Sequence, residues 1–223
     1  MKNKLWVFGD SFSTPFHLHF WGANGYIKWK GYEPHIFSHH ISKHYGLKIE
    51  SRSLCGMDNY SIMERVCREL KNIKDGDIVI IGWSSMLRFR MVGKDGKFRY
   101  VLPGGNDSPY DMFFNVDQTT VDQTLINRLD YYRQYDYEVY LWTLLINKSL
   151  PNCKIIHWKW ECEESNKALP YHTIFEETDR ELLDSHYSEK GQEDLSKDFI
   201  KLLESKDKHH YFGSFTKELF TLI

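Results

Sequence analysis

Short unbroken apolar runs alternate along the chain with segments whose apolar residues recur every three or four positions. The first run, Leu5-Trp6-Val7-Phe8, passes directly into Gly9-Asp10-Ser11-Phe12-Ser13. Such a run, ended by turn residues, predicts a buried strand. Ile78-Val79-Ile80-Ile81-Gly82-Trp83 is the clearest run of this kind, and Lys154 to Trp160 is the last convincing one. A second strand is expected over Leu47 to Ser53. The helical period governs residues 35–45 (apolar at 36, 37, 41 and 45), 59–70 (62, 63, 66, 67 and 70) and 192–203 (195, 199, 202 and 203). Gly46 is the expected C-cap of the first of these, and Asp58 or Asn59 the N-cap of the second.

Between these elements lie stretches of a different texture. Residues 14–34 are rich in aromatics, His and Gly and read as a long loop that forms one wall of a site, or as an aromatic-stapled surface loop. Met91 to Val101 alternates around Lys94-Asp95-Gly96-Lys97, a β-hairpin signal, and a Pro/Gly-rich loop runs from Pro103 to Pro109. Residues 116–147 read as mostly helix, although 138–145 also suit a strand. The alternation of strand and helix predicts a three-layer α/β fold with a mainly parallel sheet. One domain is expected over 1–208, with insertions at about 14–34 and 90–115. An apolar tail, 209–223, is left to dock on that domain or to join two copies of the chain.

Composition narrows the function classes. A net charge of −2 over 223 residues does not call for nucleic acid or an acidic membrane surface as partner, and neither is expected. No apolar run approaches the roughly 18 residues that span a bilayer. Met1-Lys2-Asn3-Lys4 leads straight into a strand without the pattern of a signal peptide, so the expected compartment is the cytoplasm, with association to a virion as the other option. Cys55, Cys67, Cys153 and Cys162 show no C-x-x-C spacing and read as free thiols. His35/His39 and His40/His44 have the i, i+4 spacing of helical metal ligands, but no acidic or sulfur residue accompanies them; a solvated polar face is the expectation.

The chemistry begins at Ser11. In an open α/β sheet the ligand crevice lies beyond the carboxyl ends of the strands, which is where a residue after the first strand falls. An isolated Gly-Asp-Ser also suits an ordinary turn. What adds weight is Asp184-Ser185-His186 before the last helix: in an extended loop, residues two apart point to one side. A serine hydroxyl needs an imidazole to take its proton and a carboxylate to orient that imidazole.

With these residues in view, the chain resembles the SGNH (GDSL-type) hydrolase superfamily over most of its length. The resemblance rests on Gly9-Asp10-Ser11-Phe12-Ser13, on Gly56, on the strand ending at Gly82, and on Asp184-Ser185-His186 followed by Gly191. It implies a flavodoxin-like fold, no metal or other cofactor, and hydrolysis of an ester through a serine acyl-enzyme. It further implies Ser11 as nucleophile, His186 as general base, Asp184 as its orienting acid, and the backbone N–H groups of Ser11 and Gly56 as oxyanion donors. Some compact members with G-D-S-F-S and a strand ending in G-W-(S/T)-S look like proteins encoded by bacteriophages and polysaccharide loci. That likeness implies a carbohydrate O-acyl ester as substrate, with Trp83 and Arg88 as substrate-binding candidates. Arg88 or Arg90 would then hold an anionic substituent, or Arg88 would form a structural ion pair.

Two positions depart from the family pattern. The family's third block reads G-x-N-D, whereas this chain has Gly82-Trp83-Ser84-Ser85, so Ser84 stands where the oxyanion Asn is expected. Gly104-Gly105-Asn106-Asp107 matches literally but follows a hairpin and reads as a coincidental turn; Asn59 is the candidate substitute donor. The family commonly has D-x-x-H, and the shorter spacing here leaves Asp179 and Glu181 as alternative acids. Two classes of function follow: a serine esterase or deacetylase, or a catalytically impaired scaffold that binds carbohydrate or a protein partner. A flavodoxin-like nucleotide binder would want a phosphate-cradling loop after the first strand, where this chain offers one Gly.

Overall fold

The computed structural model describes residues 3–19, 23–84, 89–92, 98–101, 132–162 and 167–213. Its centre is a five-stranded sheet of β1 (Lys4–Phe8), β2 (Lys48–Ser51), β3 (Ile78–Trp83), β6 (Lys154–Lys159) and β9 (His209–Phe212). The spatial order is β2-β1-β3-β6-β9, and every neighbouring pair is parallel. This is the doubly wound order of flavodoxin-like sheets. Two small antiparallel pairs stand apart from it: β4 (Phe89–Val92) with β5 (Phe98–Val101), and β7 (Glu161–Cys162) with β8 (Lys167–Ala168).

Helices cover both faces, which is why the inner strands read as unbroken apolar runs. Trp6, Phe8, Val79, Ile81 and Ile155 face α3 (Asn59–Glu69) and α4 (Tyr132–Ser149), packing against Ile62, Val66, Val139 and Ile146. Leu5, Val7, Ile80, Ile156 and Trp158 face the other way, onto Phe37 and Ile41 of α2 (Phe37–Tyr45) and Leu195, Phe199 and Leu203 of α6 (Glu189–Leu203). Each such side chain, buried fully, contributes about 1.5–3 kcal/mol. The caps fall where the sequence suggests: Asp58 accepts from Ser61 N at the start of α3, and Gly46 closes α2 in the left-handed region.

Three expectations change, and the strand alternative for 138–145 closes in favour of helix. Residues 14–34 are not one long loop: they hold a 3-10 turn at Phe16–Leu18 and α1 (Ala23–Lys30), whose Tyr26 packs with Phe16, Ile36 and Ile174 in a third apolar cluster. Residues 138–145 are helix throughout, since Val139 and Ile146 fit the core at helical spacing. The last helix starts at Glu189, ahead of Gln192, because Ser188 caps it; Gly191 inside it lets the His172 carbonyl approach where a Cβ would collide. The supposed tail begins with β9, which adds a fifth strand by pairing with β6. A short helix, α5 (Ile174–Glu177), was not legible in the pattern. The hairpin expected over 91–101 is the β4–β5 pair; the turn at 94–97, the 103–109 loop and residues 214–223 lie outside the described residues. No helix among the described residues is long and apolar enough to cross a membrane.

Candidate active site

Strands β1, β3 and β6 end side by side, and a single buried carboxylate ties their ends together. Asp10, directly after β1, accepts from Phe12 N at 3.1 Å through Oδ1 and so caps the 3-10 turn Ser11–Ser13. Its Oδ2 accepts from Ser84 Oγ (3.0 Å), after β3, and from Trp160 Nε1 (3.1 Å), after β6. Gly9 is required here for space: a Cβ on it would lie 2.5 Å from Ser13 Oγ and 3.0 Å from the Gly82 carbonyl. Ser11 therefore sits on a rigid turn at the carboxyl end of the sheet, 2% exposed. Its Oγ has no hydrogen-bond partner among the described residues.

The imidazole arrives on the loop before α6. The Asp184 and His186 carbonyls accept from Phe175 N (2.9 Å) and Ile174 N (2.8 Å), and Thr173 bridges Tyr187, so this loop is fastened to α5. Asp184 Oδ1 takes both the His186 backbone N–H (2.9 Å) and His186 Nδ1 (2.6 Å). The shortened D-x-H spacing thus brings the two side chains together, and Asp179 and Glu181 stay exposed on the surface. Burial pushes the Asp184 carboxyl up, but the His186 ring and backbone N–H groups outweigh it and hold the acid below its ordinary range. A carboxylate that accepts from Nδ1 leaves Nε2 bare, the tautomer of a general base. His186 Nε2 has no partner among the described residues.

Aromatic packing joins the two halves. Phe12, next to Ser11, lies against the His186 ring at 4.7 Å between centroids, stacks on Trp160 at 4.4 Å and meets Tyr187 edge-on at 5.0 Å. On another side of His186 stands His19, with ring centroids 5.0 Å apart. The His186 ring is thus in contact with Asp184, Phe12 and His19. Sequence reasoning treated the 14–34 stretch as a wall of the site without singling out His19; its signal was the concentration of His and aromatics just after Ser11.

The remaining candidates separate. Gly56 turns the chain between β2 and α3 at φ +80°, and neither its N–H nor that of Ser11 meets an acceptor among the described residues. Asn59 and Ser84 are bonded to each other: Asn59 Oδ1 accepts from Ser84 N at 2.6 Å, and Asn59 Nδ2 donates to Ser84 O at 3.0 Å. With Ser84 Oγ on Asp10, both side chains brace the site floor. Trp83 does not reach the site. It is fully buried on the α3–α4 face, with its Nε1 on His157 Nδ1 (3.3 Å), because alternation along β3 turns it away from the crevice. Arg88 lies outside the described residues, and Arg90 belongs to β4. His35 stacks on His39, whose Nδ1 accepts from Ile36 N, and no group of three or more metal-ligating side chains gathers among the described residues. No protein-family model matches the chain, and no curated protein matches its sequence.

Proposed function

We propose that this chain is a serine ester hydrolase of the SGNH type, acting on an O-acyl ester of a carbohydrate. The observation that carries the reading is the Asp184–His186 pair, its Nε2 bare, packed through Phe12 against the turn that holds an unpartnered Ser11 Oγ. In this mechanism Ser11 Oγ attacks the ester carbonyl carbon and its proton passes to His186 Nε2. The C–O bond to the alcohol then breaks, and the leaving oxygen takes that proton. Water attacks the acyl-enzyme, gives a proton to His186, and the acid leaves as Ser11 recovers its own. Asp184 steadies the imidazolium that forms twice. The Ser11 and Gly56 N–H groups stabilise the oxyanion, one such donor being worth about 3 kcal/mol of barrier. Asn59 and Ser84 serve by fixing the end of β3.

A second reading, a scaffold of the same family that binds carbohydrate or a protein partner without turnover, is favoured by one observation. Ser84 stands where the family has its oxyanion Asn, and its hydroxyl is committed to Asp10. Hydrolysis of aryl acetates and mono-acetylated sugars by the wild type, Ser11→Ala and His186→Ala separates the two. Turnover lost in both variants supports the hydrolase; a folded wild type that binds acetylated sugars without cleaving them supports the scaffold.

A further inference from the structure

Among the buried polar atoms at the carboxyl end of the sheet that lack a hydrogen-bond partner among the described residues are Ser11 Oγ, His186 Nε2 and His19 Nδ1. The mechanism uses the first two and leaves the third unexplained. His19 is 6% exposed, and its Nε2 lies 3.0 Å from the Thr14 carbonyl oxygen. A carbonyl can only accept, so Nε2 carries the ring hydrogen and Nδ1 is a bare acceptor in the neutral ring. Burial first, and then the neighbouring His186, hold the ring below its ordinary value, which favours the neutral form. Phe16 (5.6 Å between centroids) and His186 (5.0 Å) wedge it in place. The ring that carries this acceptor stands beside the imidazole that would activate Ser11, on the segment that leaves the Ser11–Ser13 turn.

We propose that His19 Nδ1 accepts a hydrogen bond from a substrate hydroxyl neighbouring the scissile ester, and so selects esters of polyhydroxylated alcohols over simple alkyl or aryl esters. This rests on the hydrolase reading of Ser11 and His186. An alcohol with a free hydroxyl satisfies the buried acceptor. An ester without one leaves it unpaired after water has been excluded, and sites built to pair a substrate hydroxyl discriminate strongly against analogues that lack it.

The test compares two substrates: a methyl glycoside acetylated at one position with a free hydroxyl on the adjacent carbon, and the same ester with that hydroxyl replaced by hydrogen. Their kcat/KM ratio is measured for the wild type, His19→Phe and His19→Gln. The wild type is expected to prefer the hydroxylated ester by about tenfold or more. His19→Phe should abolish that preference, and His19→Gln, whose Oε1 is again an acceptor, should recover part of it. No preference in the wild type, or an equal preference in His19→Phe, overturns the role of His19. Fluorophosphonate labelling separates the failures: a Ser11 that labels in an unselective enzyme refutes the role of His19 alone. A folded wild type that neither labels nor hydrolyses refutes the hydrolase reading and the inference with it.

Discussion

His157 lies wholly inside the molecule on β6, and its protonation sets an acid limit on the fold. Its Nδ1 accepts from Trp83 Nε1 at 3.3 Å and its Nε2 donates to Asn147 Oδ1 at 2.9 Å, so both nitrogens are occupied in the neutral ring. Tyr211 of β9 stacks on it at 5.4 Å between centroids. Burial, with a smaller push from His209, lowers it from 6.5 to about 3. Below about pH 6.5 the unfolded chain takes up a proton here that the folded chain refuses until about pH 3. The stability this ring contributes is complete above the unfolded value and is lost as pH falls, at about 1.4 kcal/mol per pH unit. Between pH 7 and pH 5 the loss comes to about 2 kcal/mol, after allowing for the part of that interval above the unfolded value. Urea unfolding at both pH values, in wild type and His157→Gln, isolates it, since the variant's own destabilisation drops out of the pH difference. The wild type should lose about 2 kcal/mol more than the variant. Equal losses in the two proteins would refute the assignment of a buried neutral ring.

Two further outcomes follow from the site. Asp184→Asn keeps the size of the side chain but removes the carboxylate that fixes the His186 tautomer, so kcat should fall by about 10⁴ with a smaller change in KM; a loss under tenfold would mean another group orients the imidazole. Gly82→Ala would set a Cβ 2.5 Å from Ser13 Oγ and 2.7 Å from Trp158 Nε1. Overpacking of that kind costs about 1–3 kcal/mol, readable by thermal or urea unfolding, and an unchanged midpoint would show that the end of β3 has room to spare.

The layers were legible because parallel strands buried on both faces announce themselves as apolar runs, as Leu5–Phe8 and Ile78–Trp83 do. β9 was not legible: His209-His210-Tyr211-Phe212 carries no such run, and its place depends on pairing with β6 and on Tyr211 reaching Thr143 and Asn147. The Asp184–His186 contact was legible as one option, since residues two apart in an extended loop share a side, while the shortened D-x-H spacing left Asp179 and Glu181 open. The parts that escaped are long-range. Asp10 caps its own turn at Phe12 N and also reaches Ser84 and Trp160, 74 and 150 residues away in the chain. Asn59 was read as a free donor because sequence does not reveal that the Ser84 peptide would occupy both ends of its amide. Trp83 was a substrate-binding candidate through the likeness to members with G-W-(S/T)-S, whereas alternation along β3 buries it in the core with Val79 and Ile81.

The most direct measurement is intact-mass labelling with a fluorophosphonate probe, applied to wild type, Ser11→Ala and His186→Ala. The account predicts one adduct on the wild type, mapped to Ser11, none on Ser11→Ala, and a labelling rate strongly reduced in His186→Ala. A folded wild type that takes up no probe, or an adduct that persists in Ser11→Ala, would contradict an activated serine at the end of β1.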